Sequence, residues 1–231
     1  MDHIDELFAL ATECARYNRG FSIATITGAQ GRTPRKDGRM LVLPSGRTCG
    51  TVGGGAAERE VVALAVEAMK AGKGRRVQIQ VREYGMLDVF IDVPIRGRKA
   101  VIFGTGHIAK SVADVLFHIG FEVFFIDDYA VEHGFSCPAN MTLLSSDKLQ
   151  SIAIDNKTAI IFSNPQDRDK YIEEVLATES PYIGVLSSKL RPTIDNPRIR
   201  QPIGLDIGAE TPEEIAVSIA AQILAVFNGK K

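Results

Sequence analysis

The chain of 231 residues carries a net charge of −1 and has a hydrophobic fraction of 45%. A nearly neutral chain gives no electrostatic reason to expect a nucleic-acid partner, and no apolar run approaches the ~18–20 residues that span a bilayer. The start Met1–Glu6 is acidic, unlike a secretory signal peptide. Cys14, Cys49 and Cys137 lack the spacing of a disulfide framework or a zinc site. We therefore expect a cytoplasmic protein without a nucleic-acid or membrane partner.

Residues 1–95 are predicted to form an α+β domain. Helical spacing of apolar residues and β-branched or alternating runs define its elements. In chain order these are a helix over 5–17, strands over 21–27, 40–43 and 47–52, a helix from residue 56, and paired strands over 76–81 and 87–93. The segment 94–98, PIRGR, contains proline and glycine and is the predicted linker to a second domain, residues 98–231.

Three consecutive glycines, Gly53, Gly54 and Gly55, directly precede the second of these helices. Such a run costs backbone entropy and needs a structural or functional reason. One interpretation is a tight packing corner. The other is an anion-binding turn at a helix start, with Arg35 and Lys36 of the preceding basic loop as partners. The sequence leaves both interpretations open.

The stretch VIFGTGHIAK, residues 101–110, combines an apolar strand, a glycine turn and the start of a helix. Gly104 permits the sharp turn, Gly106 lets a phosphate approach the backbone, and Ala109 keeps helix and strand close. A second apolar strand follows and ends before Asp127, where an acid can accept hydrogen bonds from ribose hydroxyls. This order predicts an α/β protein whose second domain is a Rossmann-type parallel-sheet domain.

The rest of the second domain continues the alternation of strands and helices. Residues 129–140 are predicted to be irregular, and residues 158–162 form a buried strand. The dipeptide Ser163-Asn164 follows that strand, which places it near the ligand crevice of an open α/β sheet. Thr211 and Glu214 predict a capping box at the start of the last helix.

Two longer stretches resemble a known family. The segment GRTPRKDGRMLVLPSGRTCGTVGGGAAE, residues 31–58, resembles the N-terminal signature of the XdhC/CoxI family. The segment PIGLDIGAETPEEIAVSIAAQIL, residues 202–224, is similar to the C-terminal signature of that family, and the motif GTGHIA lies between the two. The resemblance extends over essentially the whole chain.

The resemblance implies an accessory role in the maturation of molybdenum hydroxylases such as xanthine dehydrogenase. Members of this family are understood to bind molybdenum cofactor, to assist its sulfuration with a cysteine desulfurase, and to hand it to the apoenzyme. The pterin cofactor is a phosphorylated anion, which agrees with two glycine-rich helix starts and a basic loop. The resemblance also implies a homodimer.

The chain departs from the family pattern at positions that matter for sulfur chemistry. The family usually has a cysteine after the triple glycine, where this chain has Ala56, and alanine can neither bind a metal nor carry sulfur. Cys49, earlier in the chain, is the candidate substitute. Residues 86–90 replace a Cys-Gly-Gly segment, and Ser163-Asn164-Pro165 replaces a Thr-His-Asp-type sequence. These departures favour a carrier, scaffold or regulatory role.

The predicted site has two walls and contains no predicted catalytic or metal-binding residue. The first wall consists of Gly53, Gly54, Gly55 and Glu58, with Pro34 and Arg35 positioning its basic loop. The second wall consists of Gly104, Gly106, His107 and Asp127. His107 is expected either to donate a hydrogen bond to a phosphate or to cap the turn.

Two alternatives to the accessory role remain open at this point. A nicotinamide-dependent oxidoreductase would use the Rossmann motif to bind NAD(P), but His3, His118 and His133 have no evident acid partner for hydride transfer. A non-catalytic nucleotide-binding subunit would use the same motif without chemistry. The glycine loop is also compatible with an inherited fold element whose pocket is empty or holds another ligand.

Overall fold

The computed structural model describes residues 3–33, 35–81, 85–95, 97–186 and 195–230. The chain divides into two compact units, residues 1–97 and 98–231. The first unit contains an antiparallel sheet and the second a parallel sheet, so the predicted mixed α/β class is confirmed. In the part of the chain that the structure describes, no helix has both the length and the apolar character needed to cross a membrane.

The first unit is a five-stranded antiparallel sheet with two helices. Its strand order is β3-β2-β1-β5-β4. The elements are α1 (His3–Arg16), β1 (Phe21–Gly31), β2 (Arg39–Val42), β3 (Thr48–Thr51), α2 (Gly55–Ala71), β4 (Arg75–Val81) and β5 (Gly85–Ile95). The predicted pairing of residues 76–81 with 87–93 is confirmed by the register between β4 and β5.

Helix α2 covers one face of this sheet and α1 the other, and the strand β2 has apolar residues on both faces. Met40 and Val42 belong to the core around α2, whereas Leu41 between them belongs to the cluster around α1. Successive strand side chains point to opposite faces, so a continuous apolar run serves two layers. Cys14 packs in the α1 cluster at 3% exposure, as a core residue.

The second unit is a six-stranded, fully parallel sheet. Its strand order is β11-β10-β9-β6-β7-β8. The elements are β6 (Arg98–Phe103), α3 (His107–His118), β7 (Phe121–Ile126), α4 (Asp128–Glu132), β8 (Thr142–Leu144), a 3₁₀ helix (Ser146–Ser151), β9 (Thr158–Phe162), α5 (Pro165–Leu176), β10 (Tyr182–Val185), β11 (Ile199–Arg200) and α6 (Pro212–Phe227). This is the dinucleotide-fold order, so the predicted Rossmann-type domain is confirmed.

The order of the strands sets the position of the ligand crevice. From β6 the chain moves outward through β7 and β8 on one side, and it then returns to start β9 on the other side of β6. The connections that follow β6 and β9 therefore leave the sheet in opposite directions. Ligands of open α/β sheets bind at the carboxyl ends of the strands at such a point, here after Phe103 and Phe162.

Two sequence predictions about local structure are wrong. Residues 129–140 are not wholly irregular, since the Asp127 side chain accepts a hydrogen bond from Ala130 N and caps α4. The predicted linker 94–98 is too long, because β5 includes Pro94 and β6 begins at Arg98. The register between β1 and β5 shifts next to Pro94, and such an irregularity accommodates a proline that cannot donate to the ladder.

Candidate functional site

The turn at Gly53, Gly54 and Gly55 links β3 to α2 and is open to solvent. Gly53 has a φ of 143° and Gly55 a φ of 41°, so the backbone conformation accounts for two of the three glycines. Gly54 has an ordinary extended conformation, with φ −126° and ψ 147°. A Cβ at any of the three positions would meet no described atom within 4 Å. Packing therefore does not explain this run, and the packing-corner interpretation is not supported.

The start of α2 leaves its amide groups accessible. Gly54 occupies the N-cap position and has no side chain with which to accept hydrogen bonds from the first turn. Gly54, Gly55 and Ala56 are all exposed. A helix start without a capping side chain, at the positive end of a 17-residue helix, favours a bound anion at this position.

Glu58 braces this turn. Its Oε1 accepts a hydrogen bond from Thr51 Oγ1, and the same hydroxyl oxygen accepts from Gly53 N at 3.2 Å and lies 2.9 Å from Gly53 O. Because Glu58 is half-buried in the first turn of α2, it holds the loop rather than extending into solvent. Its negative charge also offsets part of the helix dipole.

A cavity of about 430 Å³ adjoins the turn within the first unit. Arg35 and Arg39 line it together with Asp37, and Thr51 lines it on the side of the glycine turn. Arg35 therefore lies in the same region of the unit as Thr51, the residue that braces Glu58. Pro34, the other predicted residue of the basic loop, lies outside the residues that the structure describes.

In the second glycine turn, between β6 and α3, the two glycines have different structural reasons. Gly104 has a φ of 91°, and a Cβ there would lie 2.4 Å from Ser163 Oγ and 3.0 Å from Asn164 Nδ2. At Gly106, the N-cap of α3, a Cβ would meet no described atom within 4 Å. Gly104 is thus required by conformation and packing, whereas Gly106 keeps the approach to the helix start open.

His107 is the first residue of α3 and is exposed. The N-cap position belongs to Gly106, and no side-chain cap hydrogen bond is present at this helix start. The capping role considered for His107 is therefore not observed. Donation to a phosphate stays a prediction. The first turn of α3 contains no acidic residue, unlike that of α2.

Asp127 lies at the carboxyl end of β7 and is held by two hydrogen bonds. Thr105 Oγ1 donates to its Oδ2 at 2.8 Å, and Ala130 N donates to its Oδ1 at 3.0 Å. Each carboxylate oxygen keeps further acceptor capacity for a ligand hydroxyl. Thr105 thereby connects Asp127 to the glycine turn.

Beside the predicted Asp127, the structure places at this crevice four residues that were not predicted as site residues: Asp128, Tyr129, Asp167 and Tyr171. A cavity of about 310 Å³ is lined by Asp127, Asp128 and Tyr129 on the β7 side and by Asp167 and Tyr171 on the β9 side. Acids and amides directly after two strands were the signal that could have identified it. This cavity lies wholly within the second unit.

The carboxyl group of Asp128 is oriented by the 3₁₀ helix. Ser146 donates to it through its backbone N–H at 2.7 Å and through its hydroxyl at 2.8 Å. These bonds, the backbone one first, lower the pKa of Asp128 below its ordinary value of 3.8. Asp128 is therefore ionised at neutral pH and contributes a fixed negative charge to the cavity.

Asn164 and Ser163 complete the crevice by fixing the loop after β9. Asn164 Oδ1 accepts from Asp167 N at 2.8 Å and caps α5, while its Nδ2 donates to Asp167 Oδ2 at 2.6 Å. Ser163 Oγ donates to Phe103 O at 2.6 Å. The predicted position of this dipeptide after β9 is confirmed. Ser163 joins the ends of β9 and β6, whereas Asn164 caps the first turn of α5.

The described residues contain no group of three or more His, Cys, Asp or Glu side chains that could hold a metal ion. Cys49, considered as a substitute for the cysteine missing at position 56, is half-buried on β3 and packs against the α1 cluster. The predicted site residues thus form two groups, one in each unit. Whether they form two walls of one cleft stays a prediction.

Both units of the chain are similar to known protein families. A family model described as the XdhC Rossmann domain matches residues 100–223, and one described as the XdhC and CoxI family matches residues 14–85. The chain is 30% identical to the uncharacterized protein YqeB of Escherichia coli (strain K12), over 96% of this chain and 46% of that protein. The chain therefore spans about half the length of this curated relative.

A solved structure described as a xanthine dehydrogenase from Bacillus halodurans is also similar. It shares 18% sequence identity and has a TM-score of 0.47, with 100% of this chain and 97% of that chain covered. The sequence matches, in contrast, assign both units to one family. The chain belongs to the XdhC and CoxI family.

Proposed function

We propose that the protein is an accessory factor of molybdenum hydroxylases, which holds molybdenum cofactor during maturation and delivers it to a xanthine dehydrogenase-type apoenzyme. The observation that carries this proposal is that XdhC family models match both units, over residues 14–85 and 100–223. The open helix start at the triple glycine supports the same role, because it offers backbone N–H groups to the phosphate of the pterin.

The residues of the first unit fit the anionic end of that cofactor. Around Gly54 no described atom would contact an added Cβ within 4 Å, so a phosphate can approach the backbone. Glu58 places a negative charge in the first turn of α2 and weakens the attraction of the helix start for an anion. Arg35 and Arg39, which line the adjoining cavity, supply positive charge that offsets this effect. A charged ligand that bridges the helix start and this cavity satisfies both features.

The same residues do not supply a ligand for the metal. Alanine at position 56 has no thiolate, and the described residues form no metal-binding cluster. The cofactor provides the redox-active metal of the client enzyme, whereas this chain would provide a binding surface for its phosphate. Sulfur transfer is then expected to come from a partner cysteine desulfurase, and this chain acts as the carrier.

A second function, nucleotide binding by the Rossmann unit, is favoured by a specific observation. Gly106 leaves the start of α3 open, and Asp127 is held nearby through Thr105. NAD(P) or a related nucleotide fits this pattern. His118 and His133 each bond to a backbone carbonyl four residues earlier, at 2.7 Å and 2.9 Å. Structural roles for these histidines favour a non-catalytic subunit over an oxidoreductase.

The test of the carrier proposal is the pair Gly54→Asp and Gly54→Asn in the full chain. Both side chains have the same shape, and the extended conformation at Gly54 accepts either. Calorimetry with molybdenum cofactor is expected to give about tenfold weaker binding for Gly54→Asp, because the carboxylate repels the phosphate at the helix start. Gly54→Asn is expected to bind more tightly than Gly54→Asp and more weakly than wild type, because its side chain can also cap the first turn of α2 but adds no negative charge.

Reconstitution of apo-xanthine dehydrogenase with the loaded protein provides the functional readout. Wild type and Gly54→Asn are expected to restore activity, and Gly54→Asp to restore less. Equal binding by all three proteins would remove the helix start from the site. Absence of cofactor binding to wild type, together with hydride transfer from NADH, would replace the carrier proposal by the oxidoreductase alternative.

A further inference from the structure

The cavity at the carboxyl ends of β7 and β9 has one feature that the Rossmann motif does not require. Tyr129 lies on its lining and is 70% exposed, the most exposed of the large apolar or aromatic side chains among the described residues. A tyrosine ring combines a large apolar face with a polar hydroxyl group, and aromatic side chains of this kind commonly line ligand pockets.

The ring of Tyr129 is held in place before any ligand arrives. One of its faces stacks on the His133 ring, with centroids 3.9 Å apart and an interplanar angle of 18°. His133 Nδ1 is 2.9 Å from Tyr129 O, which ties the histidine to the same turn of α4. Since one face is covered and most of the side chain is exposed, the other face of the ring is accessible.

The polar groups of the cavity select the part of a nucleotide that can lie there. Three carboxylates line it, those of Asp127, Asp128 and Asp167. Lys170 interacts electrostatically with two of them, Asp128 and Asp167, and is not itself part of the lining. This excess of negative charge repels a phosphate and accepts hydrogen bonds from hydroxyl groups. The open start of α3, beside Gly106, is in contrast compatible with a phosphate, because a helix N-terminus favours an anion.

We infer that this cavity is the subsite for the nucleoside part of a nucleotide with free ribose hydroxyls, and that Tyr129 is the platform on which its base stacks. The inference rests on the proposed binding of a nucleotide by the Rossmann unit. The cavity volume of about 310 Å³ lies at the lower end of the ~300–1,000 Å³ typical of ligand pockets, which suits a nucleoside rather than a whole cofactor.

Two consequences follow for ligand choice. A base on Tyr129 places its ribose next to Asp127 and Asp128, so a ligand with a 2′-phosphate meets carboxylates and is disfavoured. NAD is therefore expected to bind more tightly than NADP. Stacking is also tolerant of the kind of base, because every base has a π-face, so the ring alone selects nucleosides as a class.

The test uses the full chain, calorimetry, and four probes: NAD, NADP, ADP and inorganic pyrophosphate. Tyr129→Ala is expected to weaken NAD and ADP binding about tenfold, the loss of one base–aromatic stack, and to leave pyrophosphate binding unchanged. Tyr129→Phe keeps the ring and is expected to bind NAD as tightly as wild type. The chain has no tryptophan and five tyrosines, so quenching of tyrosine fluorescence by a bound base is a second readout.

The outcomes separate this inference from the proposed nucleotide function. If wild type binds neither NAD nor ADP, both the proposed nucleotide function and the nucleoside subsite are wrong. If wild type binds NAD and Tyr129→Ala binds it equally well, the nucleotide function stands and the platform is wrong. An equal loss in Tyr129→Phe would assign the effect to the hydroxyl group and overturn stacking. NADP binding as tight as NAD binding would contradict the role of the carboxylates.

Discussion

The two glycine-rich helix starts of this protein have the same local design and different surroundings. In both, a glycine occupies the N-cap position, Gly54 for α2 and Gly106 for α3, so no side chain covers the first amides. At α2 all three glycines are open, whereas at α3 Gly104 is packed against the loop after β9. The glycine pattern therefore fixes an accessible helix start, and the neighbouring loops decide how much space surrounds it.

The N-termini of α2 and α3 differ in where their neighbouring acidic and basic residues lie. The start of α2 has an acid in its own first turn, Glu58, and a cavity with Arg35 and Arg39 beside it. The start of α3 has no acid in its first turn and an acidic cavity that includes Asp127. A basic neighbourhood suits a ligand whose charge is concentrated in phosphate. An acidic one suits a ligand that also carries hydroxyl groups.

Each start also uses a threonine hydroxyl to orient its acid. Thr51 donates to Glu58 at the first start, and Thr105 donates to Asp127 at the second. In the first case the acid belongs to the helix itself, and in the second it follows a neighbouring strand. The comparison teaches that a short strand–glycine–helix pattern can be recognised from sequence, while its ligand class depends on residues contributed by other elements.

The largest expected effect is on stability, and it distinguishes the packed glycine, Gly104, from the open one, Gly106. Gly104→Ala is expected to reduce the free energy of unfolding by about 2–4 kcal/mol, because the new Cβ combines left-handed strain with a clash against Ser163. Gly106→Ala, with a φ of −60° and open space around the new Cβ, is the matched control and is expected to cost at most about 1 kcal/mol, because alanine is a poorer N-cap residue than glycine. Urea unfolding of both variants measures the difference. Similar losses in the two would show that Gly106 is also packed.

Much of the second unit could be predicted because its signals are local. Residues 101–110 contain the strand, the turn and the helix start within one short stretch, and hydrophobic periodicity defines the following elements. The capping box of Thr211 and Glu214 is confirmed by reciprocal hydrogen bonds. These features depend on residues a few positions apart, which a sequence displays directly.

The parts that could not be predicted depend on contacts between distant segments. The close approach of Ser163 to Gly104 involves the turns that follow β6 and β9, and only the sheet order brings these turns together. The acidic cavity likewise combines Asp128 with Asp167 and Ser146. Helix α4 could not be predicted because five residues give no helical period, and because its capping acid, Asp127, also has the position of a ribose-binding residue.

A smaller effect is expected at the threonines that orient the two acids. Thr51→Val is expected to cost about 1–2 kcal/mol of unfolding free energy, since it leaves Glu58 and Gly53 N without the hydroxyl they share. Thr105→Val removes one hydrogen bond, to Asp127, which keeps its bond from Ala130, and is expected to cost about 1 kcal/mol or less. Chemical denaturation ranks the two. A larger loss for Thr105→Val would mean that the second turn depends more on its threonine than the first.

The smallest effect concerns the charge of the acidic cavity. Hydrogen bonds from Ser146, first its N–H and then its hydroxyl, lower the pKa of Asp128 below the ordinary value of 3.8. A depressed pKa in the folded protein stabilises the fold at pH values above the pKa of the unfolded chain. This stabilisation is lost as the pH falls through the folded pKa. Because Asp128 is exposed, we expect it to contribute less than about 1 kcal/mol.

Asp128→Asn and Ser146→Ala test this contribution through its pH dependence. The stability difference between wild type and Asp128→Asn is expected to be present at pH 6 and to shrink below about pH 4, where the carboxyl group of the wild type becomes protonated. Ser146→Ala keeps the backbone N–H, so it is expected to show a smaller difference with the same sign. Urea unfolding across this pH range provides the measurement. A difference that stays constant with pH would assign the effect of Asp128→Asn to packing, and the fixed charge would no longer distinguish this cavity from the basic one beside α2.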